Sequence, residues 1–78
     1  MKIIFSDHAR LKIFQRKLSR QKALETVAHP DFIQQGYNGR EARFKNFGKN
    51  YLKAITVIEK DALVVVTVHW IAGARIQE

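Results

Sequence analysis

The chain has 78 residues, fourteen Lys and Arg against seven Asp and Glu, and a formal net charge of +7. Hydrophobic residues make up 46%, with four glycines, one proline and no cysteine. This excludes disulfides and Cys-based zinc sites, and points to one folded domain over 1–78 rather than a disordered tail.

No apolar run approaches the roughly 20 residues of a membrane span. Polar residues resume directly after Ile3-Ile4-Phe5, so no signal peptide is legible and a cytoplasmic protein is expected. A chain near this size buries only about 60% of its surface, so the core either stands alone at the margin or is completed by a partner.

Lys2–Phe5 is β-branched and aromatic and reads as a strand. Ser6 or Asp7 then caps a helix running to about Leu18. Ser19 offers a second cap, for a helix over Arg20–Ala28 whose apolar side carries Ala23, Leu24, Val27 and Ala28. His29-Pro30 ends it, because proline disfavours a helical residue before it.

From Asp31 the period becomes alternating. Strands are expected at Phe32–Gln35, Arg40–Phe47, Tyr51–Glu59 and Leu63–Ile71, separated by Gly36-Tyr37-Asn38-Gly39, Gly48-Lys49-Asn50 and Lys60-Asp61. Ile71–Glu78 has no strong periodicity and reads as a frayed terminus. The expected fold is α+β: a short N-terminal strand and two helices packed on one face of an antiparallel sheet of about four strands.

Two-residue turns at Lys60-Asp61 and Lys49-Asn50 would place Ala42, Phe44, Ile55, Val57, Val64, Val66, Val68 and Trp70 on one face. That dense apolar set is expected beneath the helices, with Tyr51 and Trp70 as a cross-strand pair. The other face would carry Arg43, Lys45, Phe47, Leu52, Ala54, Thr56, Thr67 and His69, like a binding surface. A slip of one residue in either turn would reverse that hairpin's assignment.

The positive charge is concentrated in two segments. Residues 1–22 hold seven cations against Asp7, and residues 40–53 hold Arg40, Arg43, Lys45, Lys49 and Lys53 against Glu41. Together they suit a phosphate backbone or an acidic protein surface; placed on opposite faces they would only keep the protein soluble. Within the first segment His8, Lys12 and Arg16 recur every fourth residue and share one helix face, setting a group that titrates near neutrality beside two fixed charges. Next to Ala9 and Ile13, the stripe lies at the margin of the sheet, and it becomes a site only if Arg40, Lys45 or His69 meets it there.

The order strand–helix–helix–antiparallel sheet, the small size and the basic charge resemble the RelE/ParE-like toxin architecture. Ser6-x-His8-Ala9, Arg16-x-Leu18-Ser19, Pro30, Gly39-Arg40 and Tyr51-Leu52 with Val64–Trp70 together resemble the bacterial domain-of-unknown-function family four-two-five-eight, from residue 3 to about 70. The chain departs from that pattern at Lys12, where the family usually has Arg, and at Lys17, where it usually has Gly. Family members are grouped with ribonuclease toxins of the barnase–EndoU–colicin–RelE type. The resemblance therefore implies a toxin of a toxin–antitoxin system, a metal-independent endoribonuclease of the mRNA-interferase kind. RNA and an acidic antitoxin-like protein are its implied partners, no cofactor is implied, and the likeness to RelE-type toxins makes Arg75 in the tail a minor candidate for function.

Such cleavage needs a base near the ribose 2′-hydroxyl, a cation over the phosphate oxygens and an acid at the leaving oxygen. His8 and His69 are the candidates for proton transfer, with Arg16 as charge stabiliser and Lys12 or Lys45 in support. Arg40, Arg43 and Lys45 are candidate RNA contacts, and Phe47, expected on the open face, is the candidate for stacking a base. The bland alternatives are a helix-start His8 bonding its own first turn, a strand His69 beside Trp70, and an Arg40 that only pairs with Glu41. His29 reads as a helix end. The three histidines are scattered and no carboxylate stands at ligand spacing to them, so no metal site is expected. A nonenzymatic basic module that binds nucleic acid or an acidic partner, and an inactive relative of such toxins, both fit the same surface.

Overall fold

Ser6 ends the first strand and opens the first helix. In the computed structural model, which describes residues 2–73, β1 (Lys2–Phe5) runs parallel to the start of β5 (Ala62–Ala72), with Phe5 opposite Val65. The Ser6 backbone N–H donates to the Val65 carbonyl at 3.0 Å, while its hydroxyl accepts from the Ala9 N–H and so caps α1 (Asp7–Gln15).

α1 stops at Gln15, short of the expected Leu18. Lys17 adopts φ +53°, its N–H donates to Phe14 O, and the Leu18 N–H donates to Ile13 O at 2.9 Å. These are the two bonds of a Schellman cap, with lysine at the left-handed position that favours glycine. The cap turns Leu18 inward, where it is buried beside Ile13 in the core.

Ser19 caps α2 (Arg20–Ala28) by accepting from the Lys22 N–H, and the helix ends at His29, ahead of Pro30. β2 (Phe32–Gln35) and β3 (Arg40–Asn46) are joined through Asn38 and Gly39, both left-handed (φ +58° and +74°), the Asn-Gly turn that hairpin twist prefers. β3 meets β4 (Asn50–Glu59) through Gly48-Lys49, not Lys49-Asn50: Gly48 takes φ +98° and the Phe47 N–H bonds Asn50 O. Lys60-Asp61 turns β4 into β5 as expected, pairing Glu59 with Ala62.

The sheet is therefore five-stranded, in the order β1-β5-β4-β3-β2, antiparallel except where β1 joins β5. Both helices cover the same face. Phe5, Leu52, Ala54, Leu63, Val65 and Val68 from that face form the core with Ala9, Leu18, Ala23 and Val27. Ala9, Ala23 and Ala54 are fully buried; side chains this small let the helices lie close against the strands. Among the described residues no helix is long and apolar enough to cross a membrane.

The face expected beneath the helices is the uncovered one. Ala42, Phe44, Ile55, Val57 and Val64 do share a face, but the helices lie on the other, over Leu52, Ala54 and Thr56. Counting apolar side chains misjudged which face the helices approach, because close approach selects small residues. A β-bulge adds the second correction. Ile55 pairs with Thr67 but Thr56 pairs with Val65, so Val66 is an extra residue in β5. Beyond it the alternation inverts, and Val68 and Trp70 join Leu52 on the helix-covered face. Trp70 therefore pairs with Leu52, while Tyr51, on the opposite face, pairs with Ile71. Arg75 lies outside the described residues.

Candidate functional site at the margin of α1 and β5

β1 is four residues long and β5 is eleven, so among the described residues no strand lies beside the outer edge of β5 beyond Val65. α1 occupies that side and is tied to β5 from both ends. At its start the Ser6 hydroxyl donates to Val66 O at 3.2 Å, and from its C-cap Arg16 Nη1 donates to Val68 O at 2.9 Å.

Helical geometry then fixes the rest of α1. Ala9 and Ile13 turn to the core, His8, Lys12 and Arg16 lie on one flank, and Arg10, Phe14 and Lys17 lie on the other. His8 and Arg16 are exposed and Lys12 is half-buried, so the stripe does run along the sheet margin.

Arg16, bonded there to the Val68 carbonyl, brings its charge to bear on the next residue, His69. The bulge at Val66 turns His69 to the uncovered face, opposite Lys53 on β4. Partial burial, followed by the positive charges of Lys53 and Arg16, holds the His69 imidazole below its ordinary pKa of 6.5. At neutral pH the ring is uncharged and able to accept a proton, with a guanidinium and an ammonium close by. Lys53 Nζ also lies 5.6 Å from the centre of the Phe44 ring, a placement that keeps the ammonium on this face.

The other expected site residues are distributed differently. Arg43 and Lys45 point to the helix side: Arg43 Nη1 donates to Val27 O at 2.7 Å and Lys45 Nζ to His29 O at 3.0 Å. They satisfy carbonyls at the C-terminal end of α2, where a cation is favoured by the helix dipole. Arg43 also pairs with Glu41 at 3.0 Å, with 17% and 23% of the two side chains exposed. Hydrogen bonds from Gln35 and Arg43, together with the Arg43 charge, hold the Glu41 carboxyl below its usual range.

Phe47 is not on the open face. It packs against the core edge-to-face with Trp70, centroids 6.0 Å apart, beneath the Lys22 ammonium. Arg40 is exposed on the uncovered face opposite Val57, four residues along β4 from Lys53, or about 13 Å.

The arrangement brings together Arg16, His69 and Lys53, with Lys12 and His8 following along the same flank of α1. Lys53 was missed in the sequence because unbulged pairing sets His69 opposite Leu52; only the extra residue at Val66 brings lysine and histidine opposite each other. Among the described residues no three ligand-type side chains gather into a metal-binding group.

No curated protein and no solved structure matches the chain. A family model does match, over residues 5–70, a span that includes β1's last residue, both helices and the Arg16–His69–Lys53 margin. The chain belongs to the family described as Domain of unknown function (DUF4258).

Proposed function

We propose that the protein is a toxin-type, metal-independent endoribonuclease of the cytoplasm that acts on RNA at the margin of α1 and β5. The observation that carries this reading is the placement of His69 opposite Lys53 on the sheet, beside the Val68 carbonyl that holds Arg16. His69 takes the proton of a ribose 2′-hydroxyl as that oxygen attacks the adjacent phosphorus. Arg16 and Lys53 neutralise the charge that gathers on the non-bridging oxygens. The bond to the 5′-oxygen breaks, and His8 or Lys12 returns a proton to it, leaving a 2′,3′-cyclic phosphate and a 5′-hydroxyl.

Arg16 suits its role because one of its five donors is fixed on Val68 O, so the guanidinium is held at the strand edge while others face a phosphate. Arg43, Lys45 and Phe47 are left out of this reading, because the fold itself engages them.

The test is cleavage of a single-stranded RNA by wild type, His69→Gln and Arg16→Ala in the presence of a chelator, with cyclic phosphate ends as the readout. Loss of a positioned acid–base group lowers the rate by about 10²–10⁴-fold, and the same variants should relieve growth inhibition on induced expression. Cleavage that survives both substitutions sinks the assignment. Salt-dependent RNA binding by wild type without any cleavage would instead establish a nonenzymatic module on the same cations.

A further inference from the structure

The other flank of α1 borders a groove that the ribonuclease reading does not use. Its volume is about 690 Å³; Phe5 and Leu18 form its floor, Phe14 stands as a wall, and Arg10, Lys17 and Arg20 line its rim. The floor residues are buried, whereas Phe14 leaves 81% of its surface in solvent. Arg20 holds its guanidinium 5.3 Å from the centre of the Phe5 ring, so charge and apolar surface meet inside the groove. Arg10 bonds Asp7, but both side chains are strongly exposed and such a pair is readily exchanged. Among the described residues no carboxylate lines the groove itself.

We propose that this groove docks an acidic amphipathic helix of a partner protein. The volume suits a few anchoring side chains, and an open apolar trough accepts them at i, i+3 or i+4, and i+7 along one helical stripe. The cationic rim selects carboxylates for the flanking positions of that helix. A second copy of this chain is disfavoured, because a two-fold contact would set the same cationic rim against itself in a protein of net charge +7. RNA is disfavoured by an apolar floor with cations only at its border. The groove and the Arg16–His69–Lys53 margin lie on opposite flanks of α1, so occupation of one leaves the other open and the two proposals fail separately.

The probe is a labelled synthetic peptide with Leu in a helical stripe and Glu elsewhere, titrated into the full chain by fluorescence anisotropy. A sequence-scrambled peptide and one with Lys in place of Glu serve as controls. The acidic stripe peptide should bind and both controls should not. Phe14→Ser and Arg20→Glu should each weaken binding at least about tenfold, the loss expected for a central anchor. Arg20 is the first residue of α2, where a carboxylate suits the helix dipole, so Arg20→Glu does not act by unfolding. Lys49→Glu, the same charge change in the remote β3–β4 turn, should leave binding intact. The proposal is overturned if the controls bind equally, if Phe14→Ser has no effect, or if an RNA oligonucleotide displaces the peptide. It is equally overturned if sedimentation finds a dimer that Phe14→Ser dissolves, since the groove then belongs to a second copy.

Discussion

Arg43 and Lys45 on β3, and Arg16 and Lys53 around His69, are two pairs of cations of similar chemistry put to opposite uses. Arg43 faces Glu41, and both β3 cations donate to carbonyls at the end of α2. Their charge is taken up by the fold. Arg16 and Lys53 have no carboxylate: among the described residues the ion pairs are Arg10–Asp7 and Arg43–Glu41. What they face is an imidazole, whose pKa is lowered first by its partial burial and then by their charge. Whether a basic residue is available to a phosphate depends less on its place in a basic segment than on what the chain has set opposite it.

Removing Arg43 should be the most damaging change for stability. Arg43→Met strips the Val27 carbonyl of its donor and leaves the Glu41 carboxylate, only 23% exposed, without its cation. A loss of about 3 kcal/mol is expected for a partly buried pair broken on one side, read from urea unfolding. RNA affinity of the folded fraction should be unchanged. A variant as stable as wild type but defective in RNA binding would reverse the contrast between the two pairs.

Arg16→Ala is the complement. One hydrogen bond from an exposed side chain is lost, so the stability change should be about 1 kcal/mol. The dependence of RNA affinity on salt should fall by about one phosphate contact. An unchanged salt slope would mean that Arg16 serves only to hold α1 to Val68.

Much of the fold was legible because its signals are local. Ser6 and Ser19 cap as their hydroxyls suggest, Pro30 follows the end of α2, and Asn38-Gly39 and Lys60-Asp61 turn where they should. The faces of the sheet were not legible. One extra residue at Val66 inverts half of β5, and neither the apolar pattern of Val64–Val68 nor any glycine marks it. That same residue decides the site, since it sets His69 against Lys53 and turns Trp70 to the helix side, where it meets Phe47. The stripe on α1 could be read from spacing alone, but its meeting with His69 depended on how far β5 outruns β1.

Lys17 belongs to neither pair and sharpens the contrast from another side, because there the backbone rather than the charge is at odds with its place. It occupies the left-handed position of the α1 cap at φ +53°. The family resemblance leads one to expect glycine there. Lys17→Gly should raise stability by about 0.5–1 kcal/mol, the strain a side chain carries at such a position. The gain should appear as a higher urea midpoint at unchanged slope. A loss would mean that the lysine chain, packed at the rim of the groove, contributes more than its backbone costs.

The smallest effect separates the two cation pairs by pH. His69 is held below 6.5 when folded, so the unfolded chain binds its proton more readily. Stability is therefore full above pH 6.5 and falls as pH drops through the lowered folded value. Glu41 is held below 4.5, so its contribution is full above that pH and is lost only on further acidification. Unfolding measured from neutrality downward should thus weaken in two windows, the upper reporting the β5 margin and the lower the β3 pair. His69→Gln should flatten the upper window alone and Glu41→Gln the lower alone. If His69→Gln left the slope between pH 7 and 5 unchanged, neither burial nor the cations would be lowering the imidazole's pKa, and the base required at the margin would have to be sought at His8.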